Sequence, residues 1–233
     1  MGQRISHSVL DPFITPLVPK LYRLLPIPRW FPPEGIVLFG HIWAAVGAVG
    51  FAYSTKTWWG GFLAAAGAVG NHLSDMVDGT HARTTNQCRN GGELLDHLLD
   101  PISFSYWLVG LAVAVGRLDL GLAAVIILNA MALLTSIRAK ITGAFTLAAF
   151  GPTEFKTLLA LFGITMSIYQ LAGGAALGVE PRTITLTFFI GLLIIGAVLL
   201  PVSIIQSVHE VNRAGQPPDT TSWVIQRTAN DRE

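Results

Sequence analysis

Asp75, Asp78, Asp96 and Asp100 lie close together in a chain that carries only 14 acidic residues. The first two are three apart and the last two four apart, so on helices each pair shares one face. Gly92 stands one turn before Asp96 on that same face and leaves an opening beside the carboxylates. The connection between the pairs is short, which makes the two helices antiparallel neighbours and lets the pairs meet across a groove. Four carboxylates so placed repel one another, and the sequence sets too few fixed cations nearby to balance them. Hard divalent cations resolve the repulsion, and Mg²⁺ suits a site of carboxylates plus substrate phosphates. Two ions about 3.5–4 Å apart would suit in-line displacement at phosphorus.

The elements that must hold these residues are apolar. The chain has 233 residues, 52% hydrophobic and 12% charged, with mean hydropathy +0.55. Soluble domains carry about 25% charged residues, so most of this surface need not face water. Six apolar stretches, roughly 35–54, 58–77, 94–116, 118–137, 155–174 and 183–207, are long enough to cross a bilayer as helices. The fold expected is therefore all-α and polytopic, with six transmembrane helices. Carboxylates at membrane depth mark a functional site by default. The second stretch is rich in Gly and Ala (Gly60, Gly61, Ala64 to Ala66, Gly67, Ala68, Gly70), which allows helices to approach closely.

Residues 1–34 lack an uninterrupted apolar core and contain seven prolines, which argues against a cleavable signal peptide. The run SVLDPFITPLVPKLYRLL mixes apolar residues with Lys20 and Arg23 and reads as an interfacial amphipathic helix on the membrane. The expected organisation is a juxtamembrane segment 1–34, a six-helix domain 35–210 and a flexible cytoplasmic tail 211–233. With six spans, one side holds Arg4, Lys20, Arg23, Arg29, Arg83, Arg89, Arg138, Lys140, Lys156, Arg213, Arg227 and Arg232, and the other Lys56, Arg117 and Arg182. That asymmetry puts both termini and the aspartates on the cytoplasmic side. Net charge is +1, which gives no electrostatic footprint for nucleic acid. A single cysteine, Cys88, excludes an internal disulfide and a cysteine zinc site.

The pattern Asp75-x₂-Asp78-Gly79-x₂-Ala82-Arg83-x₈-Gly92-x₃-Asp96-x₃-Asp100 resembles the full signature of the CDP-alcohol phosphatidyltransferases (CDP-alcohol phosphotransferases). The resemblance implies an integral-membrane, metal-dependent enzyme of phospholipid synthesis. Such an enzyme moves a substituted phosphate from a CDP-linked donor to an alcohol acceptor and releases CMP. It implies that Asp75, Asp78, Asp96 and Asp100 are ligands for Mg²⁺ or Mn²⁺, two ions in all, and that Asp100 also serves as general base. Gly79 and Ala82 would offer the cytidine a surface free of bulky side chains, and Gly92 would leave room for the nucleotide. Arg83, with its forked donors, suits a diphosphate oxygen. A homodimer surrounded by membrane lipids is also implied.

Arg83-Thr84-Thr85-Asn86 and Gly92-Glu93-Leu94-Leu95-Asp96-His97 are similar to the corresponding run in choline and ethanolamine phosphotransferases, which makes His97 a second candidate base or a partner of an aspartate. Donors there are CDP-choline or CDP-ethanolamine, and the acceptor is a lipid alcohol. Six spans are fewer than the eukaryotic members of that branch carry. Other residues point elsewhere. Asp100-Pro101-Ile102-Ser103-Phe104 is loosely like phosphatidylserine synthases, and Lys156-Thr157 resembles a pair in synthases that use CDP-diacylglycerol with a small polar acceptor (serine, glycerol phosphate or inositol phosphate). Arg138, Lys140 and Lys156 are either a pocket for an acceptor phosphate or the cytoplasmic flank of two spans. His41 and His72 read as packing residues. A cation transporter or channel would spread ionisable residues through the membrane depth. An intramembrane aspartyl protease would bury two aspartates mid-span, and an idle scaffold leaves the carboxylates unexplained.

Overall fold

A computed structural model of the chain describes residues 3–148, 150–214, 217–218 and 220–222. Eight helices and two short strands follow in the order β1 (Gln3–Ser6), α1 (Asp11–Ile14), α2 (Val18–Leu24), α3 (Pro33–Tyr53), α4 (Trp58–Thr85), α5 (Asn90–Val115), α6 (Leu118–Thr142), β2 (Ala144–Leu147), α7 (Pro152–Leu171) and α8 (Pro181–Arg213). The six long helices correspond to the six apolar stretches of the sequence. Four of them, α3, α5, α6 and α8, are long and apolar enough to cross a membrane. α4 and α7 fall short for a physical reason: α4 substitutes Gly and Ala for larger apolar residues, and charged residues open α7. α4 packs against α3 on one side and α7 on the other, and leaves Phe62, Val69 and Leu73 facing outward.

That packing depends on missing side chains. Gly67 faces Gly47, where any β-carbon would overlap the neighbouring backbone. A β-carbon on Gly163 of α7 would stand 2.6 Å from the amide nitrogen of Ala65. Around these contacts Phe51, Trp107, Leu111, Leu159, Met166 and Phe189 form a buried core, and the Trp107 indole donates to the Ala44 carbonyl at 2.9 Å.

Two expectations are met only in part. The fold is nearly but not wholly helical, because β1 and β2 pair in parallel from Gln3↔Ala144 to Ser6↔Leu147. Phe145 and Thr146, just after a left-handed Gly143, favour extended backbone over a continued helix. The amphipathic N-terminal run is broken into short pieces. Pro12, Pro16 and Pro19 each sit in the first two positions of one piece, where a missing N–H costs nothing.

Side chains also tie the N-terminal segment to the bundle. Ser8 donates to Glu154 at 2.5 Å and Thr153 donates to Asp11 at 2.8 Å, at the start of α7. Partial burial raises the Asp11 carboxyl, but the hydroxyls of Ser6, Thr153 and Ser8 outweigh it and hold the group below the usual carboxylate value. Further on, Tyr22 and the Phe31 carbonyl bond the two ring nitrogens of buried His81, both at 2.9 Å. At the other end, α8 takes in residues 211–213, while 215–216, 219 and 223–233 of the expected tail lie outside the described residues.

Candidate active site

Asp75 and Asp78 sit on α4 and Asp96 and Asp100 on α5, as the spacing predicts. The two helices make little direct contact with each other. Both pack on α3, which holds them apart as a groove. α4 ends at Asn86, whose left-handed backbone (φ 58°) turns the chain toward α5 and returns its N–H to the Ala82 carbonyl. Asn tolerates that conformation better than most residues.

Asp75, Asp78 and Asp96 converge: each brings a carboxylate oxygen within 4.8 Å of the other two. Asp78 is buried, accepts from the Gly79 N–H, and keeps its Oδ2 enclosed with no hydrogen-bond partner. A buried carboxylate oxygen without a partner is costly, and together with the hard-oxygen donor set it fits a divalent cation. A narrow niche joins these three residues to Asn71, Ser74, Ser103 and His41, whose Nδ1 lies 2.9 Å from the Ser103 hydroxyl. His72 is part-buried, and neither of its ring nitrogens has a hydrogen-bond partner.

Asp100 is joined to the others by a residue that sequence reasoning undervalued. Lys156 of α7 is fully buried, and its ammonium donates to Asp75 at 2.7 Å and to Asp100 at 3.3 Å. A cation is therefore present inside the cluster, contrary to the expectation that too few were near. Its position opening an apolar run is shared by membrane-flanking lysines, and the resemblance of Lys156-Thr157 to a family pair pointed to an acceptor phosphate instead. Lys156 and Arg138 have different partners. The Arg138 guanidinium pairs with Glu210 at 3.4 Å and donates to the Thr146 carbonyl, which fastens β2 to α6 and α8, while Lys140 is exposed.

The nucleotide candidates lie at the mouth of the groove. Arg83 is exposed and folds over Gly79, with Nη1 3.2 Å from where a β-carbon on that glycine would stand. Ala82, next to it, is partly buried, and Gly92 has the carboxylate of Glu34 as its neighbour. His97 lies 3.8 Å from Glu93 and meets Phe145 of β2 edge-on at 4.6 Å. Cys88 is free and exposed.

A second space begins at Asp100 and His97. This cavity of about 250 Å³ runs between α5, α6 and α8 under β2, and its walls are almost wholly apolar, including Phe104, Leu128, Met131, Phe155 and Leu193. Pro101, directly after Asp100, also lines it and has no N–H to give to the His97 carbonyl. Nothing in the periodicity of the sequence singles out these residues from those that face lipid.

Known proteins resemble this chain over part of its length. Cholinephosphotransferase 1 of Gallus gallus is 32% identical over 116 residues, covering 47% of this chain and 34% of that protein. The Rattus norvegicus protein of the same name is 34% identical over 96 residues, covering 38% and 24%. The chain thus spans about a third or less of the length of these relatives. The CDP-alcohol phosphatidyltransferase family profile matches residues 33–208, which takes in α3 to α7, most of α8 and every aspartate of the cluster. The chain belongs to the CDP-alcohol phosphatidyltransferase family.

Proposed function

We propose that the protein transfers a substituted phosphate from a CDP-linked amino alcohol, CDP-choline or CDP-ethanolamine, to the hydroxyl of a lipid alcohol such as diacylglycerol. The observation that carries this reading is the apolar cavity that opens beside Asp100 and His97. Acyl chains suit such walls, whereas serine, glycerol phosphate or inositol phosphate would find few partners there. The involvement of Lys156 with Asp75 and Asp100 also weighs against its serving an acceptor phosphate.

In this reading Asp75, Asp78, Asp96 and Asp100 hold two Mg²⁺ or Mn²⁺ ions. When bound, these ions supply charge neutralisation for the diphosphate and the departing CMP. Arg83 grips a diphosphate oxygen, while Gly79, Ala82 and Gly92 admit the nucleotide. Asp100 takes the proton of the acceptor hydroxyl, with His97 as the alternative base. The acceptor oxygen bonds to the phosphorus that carries the amino alcohol, and the bond to the bridging oxygen breaks with its electron pair leaving on CMP.

All six long helices span the membrane in this proposal, α4 and α7 packing closely on each other and each turning one apolar face outward, Phe62, Val69 and Leu73 on α4 and Leu161, Ile164 and Ile168 on α7. Residues 1–34 lie at the cytoplasmic interface, where exposed Phe13, Leu17, Leu24 and Trp30 can enter the headgroup region. The domain extends over 35–210, followed by a cytoplasmic tail, and the dimer is carried over from the family resemblance.

The test is a donor and acceptor panel scored for CMP release with Mg²⁺ or Mn²⁺. CDP-choline or CDP-ethanolamine with diacylglycerol is expected to turn over, and CDP-diacylglycerol with serine, glycerol phosphate or inositol phosphate is not. Asp96→Asn and Asp100→Asn are expected to abolish release. Wild-type rates in either variant would refute the assignment of metal and base, and silence across the whole panel would leave the transporter reading in its place.

A further inference from the structure

We infer that the lipid acceptor straddles the wall of the bundle through an opening between α7 and α8, with one acyl chain in the apolar cavity and the other in the bilayer; this rests on the transferase reading above. α7 and α8 are antiparallel and touch near the ends that their short connection joins. There the Phe162 and Phe188 rings stack 3.9 Å apart and 7° from parallel, and the Thr185 hydroxyl meets the Met166 sulfur at 3.9 Å. Toward the aspartates the two helices part. α7 stays on α4, where Lys156 reaches Asp75. α8 leans on α6, where a β-carbon on Gly196 would stand 3.0 Å from Ile127 and Glu210 pairs with Arg138. Had the pairing of Phe162 with Phe188 continued, Phe155 would pack against Ile195. Both line the cavity instead.

Size and exposure say what passes there. At about 250 Å³ the cavity is smaller than the roughly 300–1,000 Å³ of pockets that bury drug-sized ligands, and a diacyl lipid is larger than such a ligand. One chain fits inside and the remainder has to stay outside. Ile195 lines the cavity and is also 40% exposed, so it belongs to both surfaces. It follows Phe188 by two turns on the same face of α8, which puts it at the edge of the gap that α7 leaves. The end nearest water is roofed by Phe145 and Leu147 of β2 and by Phe150, and the pairing with β1 and the Arg138 bond to the Thr146 carbonyl hold that strand down. Passage through water would expose apolar chain at a cost that grows with every methylene, whereas a sideways path keeps the chain in apolar surroundings throughout.

The experiment attaches a benzyl group through a disulfide to Ile195→Cys, in a Cys88→Ser background, and measures CMP release from CDP-choline or CDP-ethanolamine with dioleoylglycerol in vesicles. The label is expected to raise KM for dioleoylglycerol about tenfold, to leave CMP affinity unchanged, and to lose its effect on reduction. The same label on Ile194→Cys, which is 58% exposed and outside the cavity, should change KM by less than about twofold. An unchanged KM at Ile195, an equal rise at Ile194, or a rise only from a label on Ser136→Cys, at the exposed rim of the cavity on α6, would overturn the opening between α7 and α8 and leave the transferase standing. If Ile195→Cys folds poorly, a diacylglycerol with a mid-chain diazirine decides on the unsubstituted chain. Cross-links are expected at Phe155 or Ile195 together with Leu128 or Met131, and cross-links confined to outward faces would overturn the inference. No turnover of diacylglycerol by the unsubstituted chain would instead bring down the transferase reading and this inference with it.

Discussion

Replacing Lys156 with methionine removes the ammonium from among the site carboxylates and keeps most of the side-chain volume. Its nitrogen lies 2.7 Å from Asp75 and 3.3 Å from Asp100, with the lysine side chain only 1% exposed. At an effective dielectric of about 20 the two attractions are roughly 6 and 5 kcal/mol before desolvation is subtracted. Removing one partner of a buried pair costs about 3–5 kcal/mol. Asp75 and Asp100 keep 30% and 25% exposure, which places this case near the lower end, at about 3 kcal/mol. For a domain of this size that loss lowers Tm by about 6–12 °C. Divalent cations and the ammonium neutralise the same oxygens, so they act as alternatives. Mn²⁺ at about a hundred times its Kd stabilises by about 2.7 kcal/mol. Because Lys156 already occupies two of the four carboxylates, Mn²⁺ should stabilise Lys156→Met more than the wild type. The assay is a thermal unfolding series in detergent with and without MnCl₂. A metal-free variant within about 2 °C of the wild type, or an equal Mn²⁺ shift in both proteins, would refute the reasoning.

Other outcomes follow from the same contacts. Leu128→Trp, which fills the apolar cavity, should raise KM for diacylglycerol about tenfold or more while leaving CMP affinity unchanged; an unaltered KM would show that the acceptor does not enter there. Gly163→Leu pushes a side chain into the Ala65 backbone and should cost about 3 kcal/mol or prevent folding, read as lost monodispersity in detergent, whereas Gly178→Ala, in open space with φ 92°, should cost only about 1–2 kcal/mol. The Asp11 carboxyl is held below its ordinary value in the folded protein, so its contribution is fully present above about pH 4 and is lost as pH falls through the lowered folded value. Hydrogen exchange in residues 3–14, corrected for intrinsic rates, should therefore stay flat from pH 8 to 5 and rise only in acid; a rise between pH 7 and 5 would contradict this.

The four aspartates and the glycines between them were legible because their chemistry is written in local spacing. Intervals of three and four put each pair on one helical face whatever the rest of the chain does, and a Gly/Ala-rich stretch within an apolar span lets helices approach closely. The same locality explains what stayed hidden. That Lys156 enters the cluster depends on α7 lying against α4, which glycine contacts at 61 and 163 decide and no spacing announces. That α4 and α5 form a groove and not a direct pair depends on α3 wedging between them. The parallel pairing of β1 with β2 joins residues some 140 positions apart, and two four-residue strands carry too little periodicity to be seen alone. The residues lining the cavity are apolar like those facing lipid, and a hydrophobic side chain in a membrane protein looks the same from the sequence whether acyl chains meet it outside the bundle or within. Spacing along the chain determined which atoms can do chemistry here; packing of distant helices decided which cation sits among them and what kind of molecule can reach them.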